Sequence, residues 1–199
     1  MTTELPTGLT PEIVAWFAAN IDGATAPFHF EMIAGGHSNL TFGVTDANGK
    51  RYVLRRPPLG HMLASAHDMG REYKIIAALS KSNVPVAPAL GFCTDPAVAE
   101  APFYVMEFVE GHIVRDPETA AKVFTVDARR RASESLVDTM ASIHAANLVD
   151  VGLNDLGKHE GYIERQLKRW YGQWNAQKTR DLPAVDRVHD ELLKRIPPQ

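Results

Sequence analysis

Cysteine is almost missing. Cys93 is the one thiol among 199 residues, so no internal disulfide forms and a reducing compartment, the cytoplasm, is expected. Long apolar runs are missing too: no stretch approaches ~18 uninterrupted apolar residues, the length a membrane-spanning helix needs. The N-terminus, MTTELPTGLTPE, carries an acidic residue and no apolar segment, and does not read as a secretory signal. There is no basic surplus. Lys and Arg number 21 against 24 Asp and Glu, a net charge of −3, which argues against general nucleic-acid binding. No repeat with a period of ~20–50 residues is present, and 14 Gly and 13 Pro are ordinary numbers. None of the 8 histidines has the His-Glu-x-x-His spacing of a zinc site. What remains, at 45% hydrophobic, is a globular chain long enough for one large domain or two small lobes.

Three zones separate by pattern. Residues 1–27 read as a leader and one helix. Thr10-Pro11-Glu12 is a start signal: a hydroxyl N-cap, Pro at the first helical position and an acid near the positive dipole end. Ile13, Trp16, Phe17 and Asn20 share a face, and Asp22-Gly23 stops the helix. Residues 28–109 read as three antiparallel strands, one helix and two strands. The strands are predicted near 28–33, 40–44, 52–55, 86–92 and 103–109, with Asp46-Ala47-Asn48-Gly49 as a hairpin turn. The helix, near 67–81, is read from Met69, Tyr73, Ile76 and Leu79. Residues 116–196 read as helical, with helices near 127–147, 160–178 and 184–196. Leu136, Met140 and Ile143 mark the first of these, Leu167, Trp170, Tyr171 and Trp174 the second, and Val185, Val188, Leu192 and Ile196 the third. A strand-rich lobe followed by a helical one predicts an α+β fold with a cleft between the lobes.

Three features in the first lobe carry candidate chemistry. Gly35-Gly36-His37-Ser38-Asn39 joins two strands. The glycine pair allows close backbone approach to a ligand, and Ser38 and Asn39 add a hydroxyl and an amide. The same residues fit an ordinary hairpin loop. Arg55 ends an apolar strand, and Glu72 lies in the next helix near its apolar face. They read as a cation–acid pair that would hold phosphate, or as two solvated surface charges. Phe103–Val109 runs from an apolar strand into Glu110-Gly111. A chain leaving a sheet exposes backbone groups able to meet a nucleobase edge, and a core strand with a turn explains the residues equally well.

Taken in this order, 35–41 (Gly-Gly-His-Ser-Asn-Leu-Thr), 52–58 (Tyr-Val-Leu-Arg-Arg-Pro-Pro), 71–73 (Arg-Glu-Tyr) and 104–111 (Tyr-Val-Met-Glu-Phe-Val-Glu-Gly) resemble the N-terminal part of the aminoglycoside phosphotransferase superfamily. That superfamily has a protein-kinase-like fold. Ile143-His144-Ala145 and Gly161–Gln166 with Trp170 extend the likeness, which is to the branch similar to the kinase-like domain of acyl-CoA dehydrogenase family members. The resemblance implies a nucleotide-binding N-lobe at 28–111 and the first part of a helical C-lobe at 112–199. By it, Gly35, Gly36, His37, Ser38 and Asn39 cover the phosphates of ATP. Arg55 takes the place of the kinase strand lysine, with Glu72 as its partner. Met106 backs the adenine pocket, and the Glu107 carbonyl and Val109 N–H meet the adenine edge. Arg in place of Lys departs from the kinase pattern.

The catalytic half of the pattern is missing. Transfer needs an Asp base, a metal-binding Asn and a second metal-binding Asp, arranged in this family as His-x-Asp-x-x-x-x-Asn, and no histidine here has Asp two residues on. His144…Asn147…Asp155-Leu156-Gly157 echoes the motif but has Ala146 where the Asp belongs. The family's loop would follow soon after Pro197-Pro198, so truncation is expected rather than substitution, with the ligands of Mg²⁺ in the missing part. Truncation would leave the Trp170/Tyr171/Trp174 stripe uncovered and favour self-association. The expected partners are ATP and an unknown small-molecule acceptor, with no nucleic acid and no membrane. A kinase-like nucleotide- or partner-binding module without catalysis is the rival expectation. Arg129-Arg130-Arg131 reads as a solvated helix face, and Cys93 as a buried, inert thiol.

Overall fold

The computed structural model describes residues 5–33, 39–58, 68–158 and 160–198. Gly35, Gly36, His37 and Ser38 lie outside them. The described residues form five strands and six helices in the order α1 (Pro11–Asn20), β1 (His29–Met32), β2 (Leu40–Thr45), β3 (Arg51–Arg56), α2 (Met69–Leu79), β4 (Ala89–Cys93), β5 (Phe103–Glu107), α3 (Pro117–Val123), α4 (Val126–Ala145), α5 (Tyr162–Gln177) and α6 (Pro183–Leu193). Two compact units result, Met1–Leu153 and Asn154–Gln199. The α+β class is as expected.

All strand pairs are antiparallel, in the spatial order β1-β2-β3-β5-β4. Because side chains alternate across a strand, this register sorts the sheet into two chemically different faces. One face is apolar. Phe30, Phe42, Val44, Tyr52, Leu54, Phe103 and Val105 are buried there together with Ile13 and Phe17 of α1. The Thr10 hydroxyl accepts from Ile13 N at 3.4 Å, which starts α1 where the sequence predicts, with Pro11 at its first position. Phe17 sits edge-on to Phe28, Phe30 and Tyr52 at centroid separations of 4.9, 6.2 and 5.4 Å, and Trp16 sits edge-on to Phe103 at 4.9 Å. Asn20, predicted on this face, is exposed; Ile21 is buried in its place.

The helix and the sheet come closest at Gly91. A Cβ there would lie 2.8 Å from Ile21 Cδ1 and 3.0 Å from Trp16 Cη2, so glycine is what lets α1 lie flat on β4. The arginine doublet divides across the sheet. Arg56 turns to the α1 side, where it is 2% exposed. There it donates to the Gly8 carbonyl and meets Glu100 Oε1 at 3.3 Å, tying the N-terminal segment to β3. Arg55 faces the other way.

The helix α2 lies on that second face. Asp68 caps it, accepting from Arg71 N at 2.9 Å, and Tyr73 stacks on Phe92 of β4 at 5.0 Å. The hairpin turn is held by Asp46, which accepts from Asn48 N at 2.9 Å, Lys50 N at 2.8 Å and Thr25 N at 3.2 Å. Burial opposes the Asp46 charge, but these backbone donors outweigh it and hold the carboxyl below its ordinary range.

A short helix, α3, was not expected from sequence. Asp116 caps it through Thr119 N at 2.7 Å. In the second unit, α5 and α6 face each other through Leu167, Trp170, Tyr171, Trp174, Val185, Val188, His189 and Leu192, which line an apolar groove. Tyr171 stacks on His189 at 3.8 Å and donates to Asp186 at 2.8 Å.

Candidate functional site

Strand pairing builds the site. Thr41 pairs with Arg55, Arg55 with Tyr104 and Tyr104 with Phe92, so a single row crosses the second face of the sheet beneath α2. Glu72, in the first turn of α2, reaches down to it. Its Oε1 accepts from Asn39 Nδ2 at 2.9 Å. Its Oε2 accepts from the Tyr104 hydroxyl at 3.1 Å and meets Arg55 Nη1 at 3.4 Å. Asn39, at the mouth of β2, Arg55 on β3, Glu72 on α2 and Tyr104 on β5 thus share one carboxylate. Three of the four are residues that the sequence singles out.

The electrostatics of the cluster are those of a partly shielded pair. The side chains of Arg55 and Glu72 are 30% and 33% exposed, so their attraction is worth only about 1 kcal/mol to stability. Its effect is on orientation: each group fixes where the other points. Burial pushes the Tyr104 hydroxyl up to about 12, with the Glu72 charge adding to the rise and Arg55 opposing it. Tyr104 is therefore a donor to Glu72 at any physiological pH. Arg55 Nε is buried without a hydrogen-bond partner among the described residues. An unmatched buried donor costs about 1–3 kcal/mol, and an oxyanion beside the guanidinium would satisfy it. A phosphate group fits this donor set.

One strand step away lies a second row. Glu31 pairs with Gly43, Gly43 with Val53, Val53 with Met106 and Met106 with Ala89. Met106 lies about 7 Å along β5 from Tyr104, on the same face. Glu107 ends the strand, and its N–H donates to the Pro88 carbonyl at 2.9 Å. An antiparallel partner would normally return an N–H to Glu107. Proline has none, so β4 leaves the Glu107 carbonyl over. Val109 follows, 67% exposed. The structure thus brings Asn39, Arg55 and Glu72 into contact. It sets Met106, Glu107 and Val109 apart, at the end of β5.

Tyr104 is the member that sequence reasoning passes over. Between Phe103 and Val105 it reads as one more core residue, and only the pairing of β3 with β5 places it beside Arg55. Among the described residues no three His, Cys, Asp or Glu side chains converge as metal ligands would, so nothing here is assigned to Mg²⁺. Cys93 is buried, as expected. Arg130 pairs with Glu134 at 2.8 Å on an exposed helix face.

The profile described as "Phosphotransferase enzyme family" matches residues 29–199. The Arabidopsis thaliana protein named Probable acyl-CoA dehydrogenase IBR3 is 38% identical over 195 residues, which cover 91% of this chain and 23% of that protein. Acyl-CoA dehydrogenase family member 11 of Gallus gallus is 36% identical over 166 residues, covering 82% of this chain and 20% of that protein. The chain therefore spans about a fifth of these curated relatives. Among solved structures, a candidate aminoglycoside phosphotransferase of Ralstonia eutropha matches with a TM-score of 0.72 at 31% identity, over 94% of this chain and 53% of that one.

Proposed function

The chain belongs to the phosphotransferase enzyme family, and from that premise we propose that it is the nucleotide-side portion of an ATP-dependent small-molecule kinase. The whole enzyme would move the γ-phosphoryl group of ATP to a hydroxyl of its acceptor. The observation that carries the reading is the Arg55–Glu72 contact, with the unmatched Arg55 Nε beside it. A guanidinium presents five N–H donors in a planar fork. Glu72 and Tyr104 both draw on that fork, and the donors left over would hold phosphate oxygens of ATP. Gly35, Gly36, His37 and Ser38, which precede Asn39 in sequence, would cover those phosphates. Met106 would back the adenine, and the Glu107 carbonyl and Val109 N–H would read its edge. ATP supplies the transferable phosphoryl group with its Mg²⁺. These residues bind and orient the nucleotide; no Asp base is assigned among them.

A kinase-like module that binds nucleotide or a partner without transfer is the second reading. No His-x-Asp occurs in these 199 residues, which is compatible with either reading. The two part on whether the natural polypeptide carries His-x-Asp-x-x-x-x-Asn and a later Asp elsewhere. The lone, buried Cys93 supports a reducing cytoplasmic setting for either, and no described helix is long and apolar enough to cross a membrane. The acceptor is a small molecule of unspecified class.

Calorimetric titration of ATP and adenosine against Arg55→Ala tests the proposal. Removing charge-assisted hydrogen bonds to phosphate should weaken ATP about 10–100-fold and leave adenosine within about twofold. Equal losses for both ligands would refute the phosphate role.

A further inference from the structure

The segment that would read adenine is tied down by a residue assigned no role so far. Arg51 opens β3 on the same face as Val53 and Arg55. Its guanidinium carbon lies 3.6 Å from the centroid of the Phe108 ring. Its Nη1 donates to Glu110 Oε1 at 2.9 Å, and its Nη2 meets Glu31 Oε1 at 3.4 Å. Phe108 and Glu110 flank Val109, so one side chain holds both neighbours of the residue whose N–H is to meet the ligand. Val109 is itself largely exposed, and its backbone position is set by those neighbours.

The tie reaches across the sheet. Glu31 belongs to β1, and β2 lies between it and β3. The β2 residue opposite Glu31 is Gly43, where a Cβ would stand 3.2 Å from both Glu31 Cγ and Oε1. Glycine leaves the lane through which Glu31 reaches Arg51. Two carboxylates and an aromatic face around one guanidinium make a planar anchor that a point charge would not reproduce.

We propose that Arg51 is the positioning residue of the adenine-reading segment, clamping Phe108 and Glu110 so that Val109 N–H and the Glu107 carbonyl are held in register for the base. The inference rests on the nucleotide reading above. It predicts a mutational signature distinct from that of Arg55, a loss shared by adenosine and ATP, because Arg51 acts on the base end and Arg55 on the phosphate end.

The test is Arg51→Ala and Arg51→Lys in the intact protein, titrated with adenosine and with ATP. Amide hydrogen exchange is followed in the unliganded state. Loss of one stacking contact and two exposed ion pairs should weaken adenosine and ATP by the same factor, about 5–10-fold. Exchange should quicken at residues 108–110 and stay unchanged in β2 and α2. Arg51→Lys, which keeps the charge without the planar stack, should recover part of the affinity. Adenosine affinity equal to wild type would overturn the proposal, as would exchange that quickens throughout the sheet, the mark of a merely structural residue. Wild-type protein that binds neither ligand would overturn the nucleotide reading itself and the proposal with it.

Discussion

Glu72 serves three donors with two oxygens, and its neighbours respond differently to its loss. Glu72→Gln removes the charge that orients Arg55 and puts an amide N–H₂ where one acceptor stood. ATP affinity should fall about 5–10-fold with adenosine unaffected, read by the same titrations. Tyr104 offers a pH test. Its hydroxyl titrates near 12 when folded, above the ordinary value of 10. A raised folded value gives stability that is fully present below pH ~10 and is lost as pH climbs through ~12. The stability difference between wild type and Tyr104→Phe should therefore be flat from about pH 7 to 9 and shrink by up to about 2–3 kcal/mol above that. Denaturant unfolding across the range measures it; a difference that stays constant to pH ~12 would contradict the assigned environment.

At the scale of elements, α1 and α2 divide the labour. The former closes the apolar face of the sheet, and the latter brings Glu72 to the polar one. Gly91 sets the first contact, so Gly91→Ala should destabilise the protein by about 1–3 kcal/mol through overpacking against Ile21 and Trp16. Phe17→Ala, at the centre of the same cluster, should cost about 3–5 kcal/mol. Both are read as shifts in urea midpoint, and a Gly91→Ala midpoint equal to wild type would mean that α1 does not lie where described. Element identity was legible wherever the signal is local. Thr10-Pro11 started α1, and the Asp46–Gly49 turn joined β2 to β3. What α1 covers was not legible, because a periodic apolar face does not name its partner. The β5-before-β4 order escaped for the same reason, and with it the place of Tyr104 beside Arg55. The α3 helix carries its own cap and proline at Asp116-Pro117 but, at 7 residues, is too short to show a period.

At the scale of the molecule, the apolar faces read from sequence in the helical region exist and are only partly covered: Leu167, Tyr171 and Trp174 of α5 are half-buried against α6, and other members stay exposed. Leu136 and Met140 of α4 are 69% and 53% exposed, and Trp170 of α5 is 60% exposed. Surfaces of this kind seek cover. Sedimentation of the chain should show concentration-dependent self-association, weakened by Met140→Glu with no change in ATP affinity; a monomer at every concentration would count against it. The most direct test of the proposed nucleotide site in the sheet lobe is a hydrogen-exchange footprint of ATP on the unmodified chain. Saturable protection should fall at residues 39–41 and 107–109 and in the first turn of α2. No saturable protection, or protection confined to residues 162–193, would contradict it.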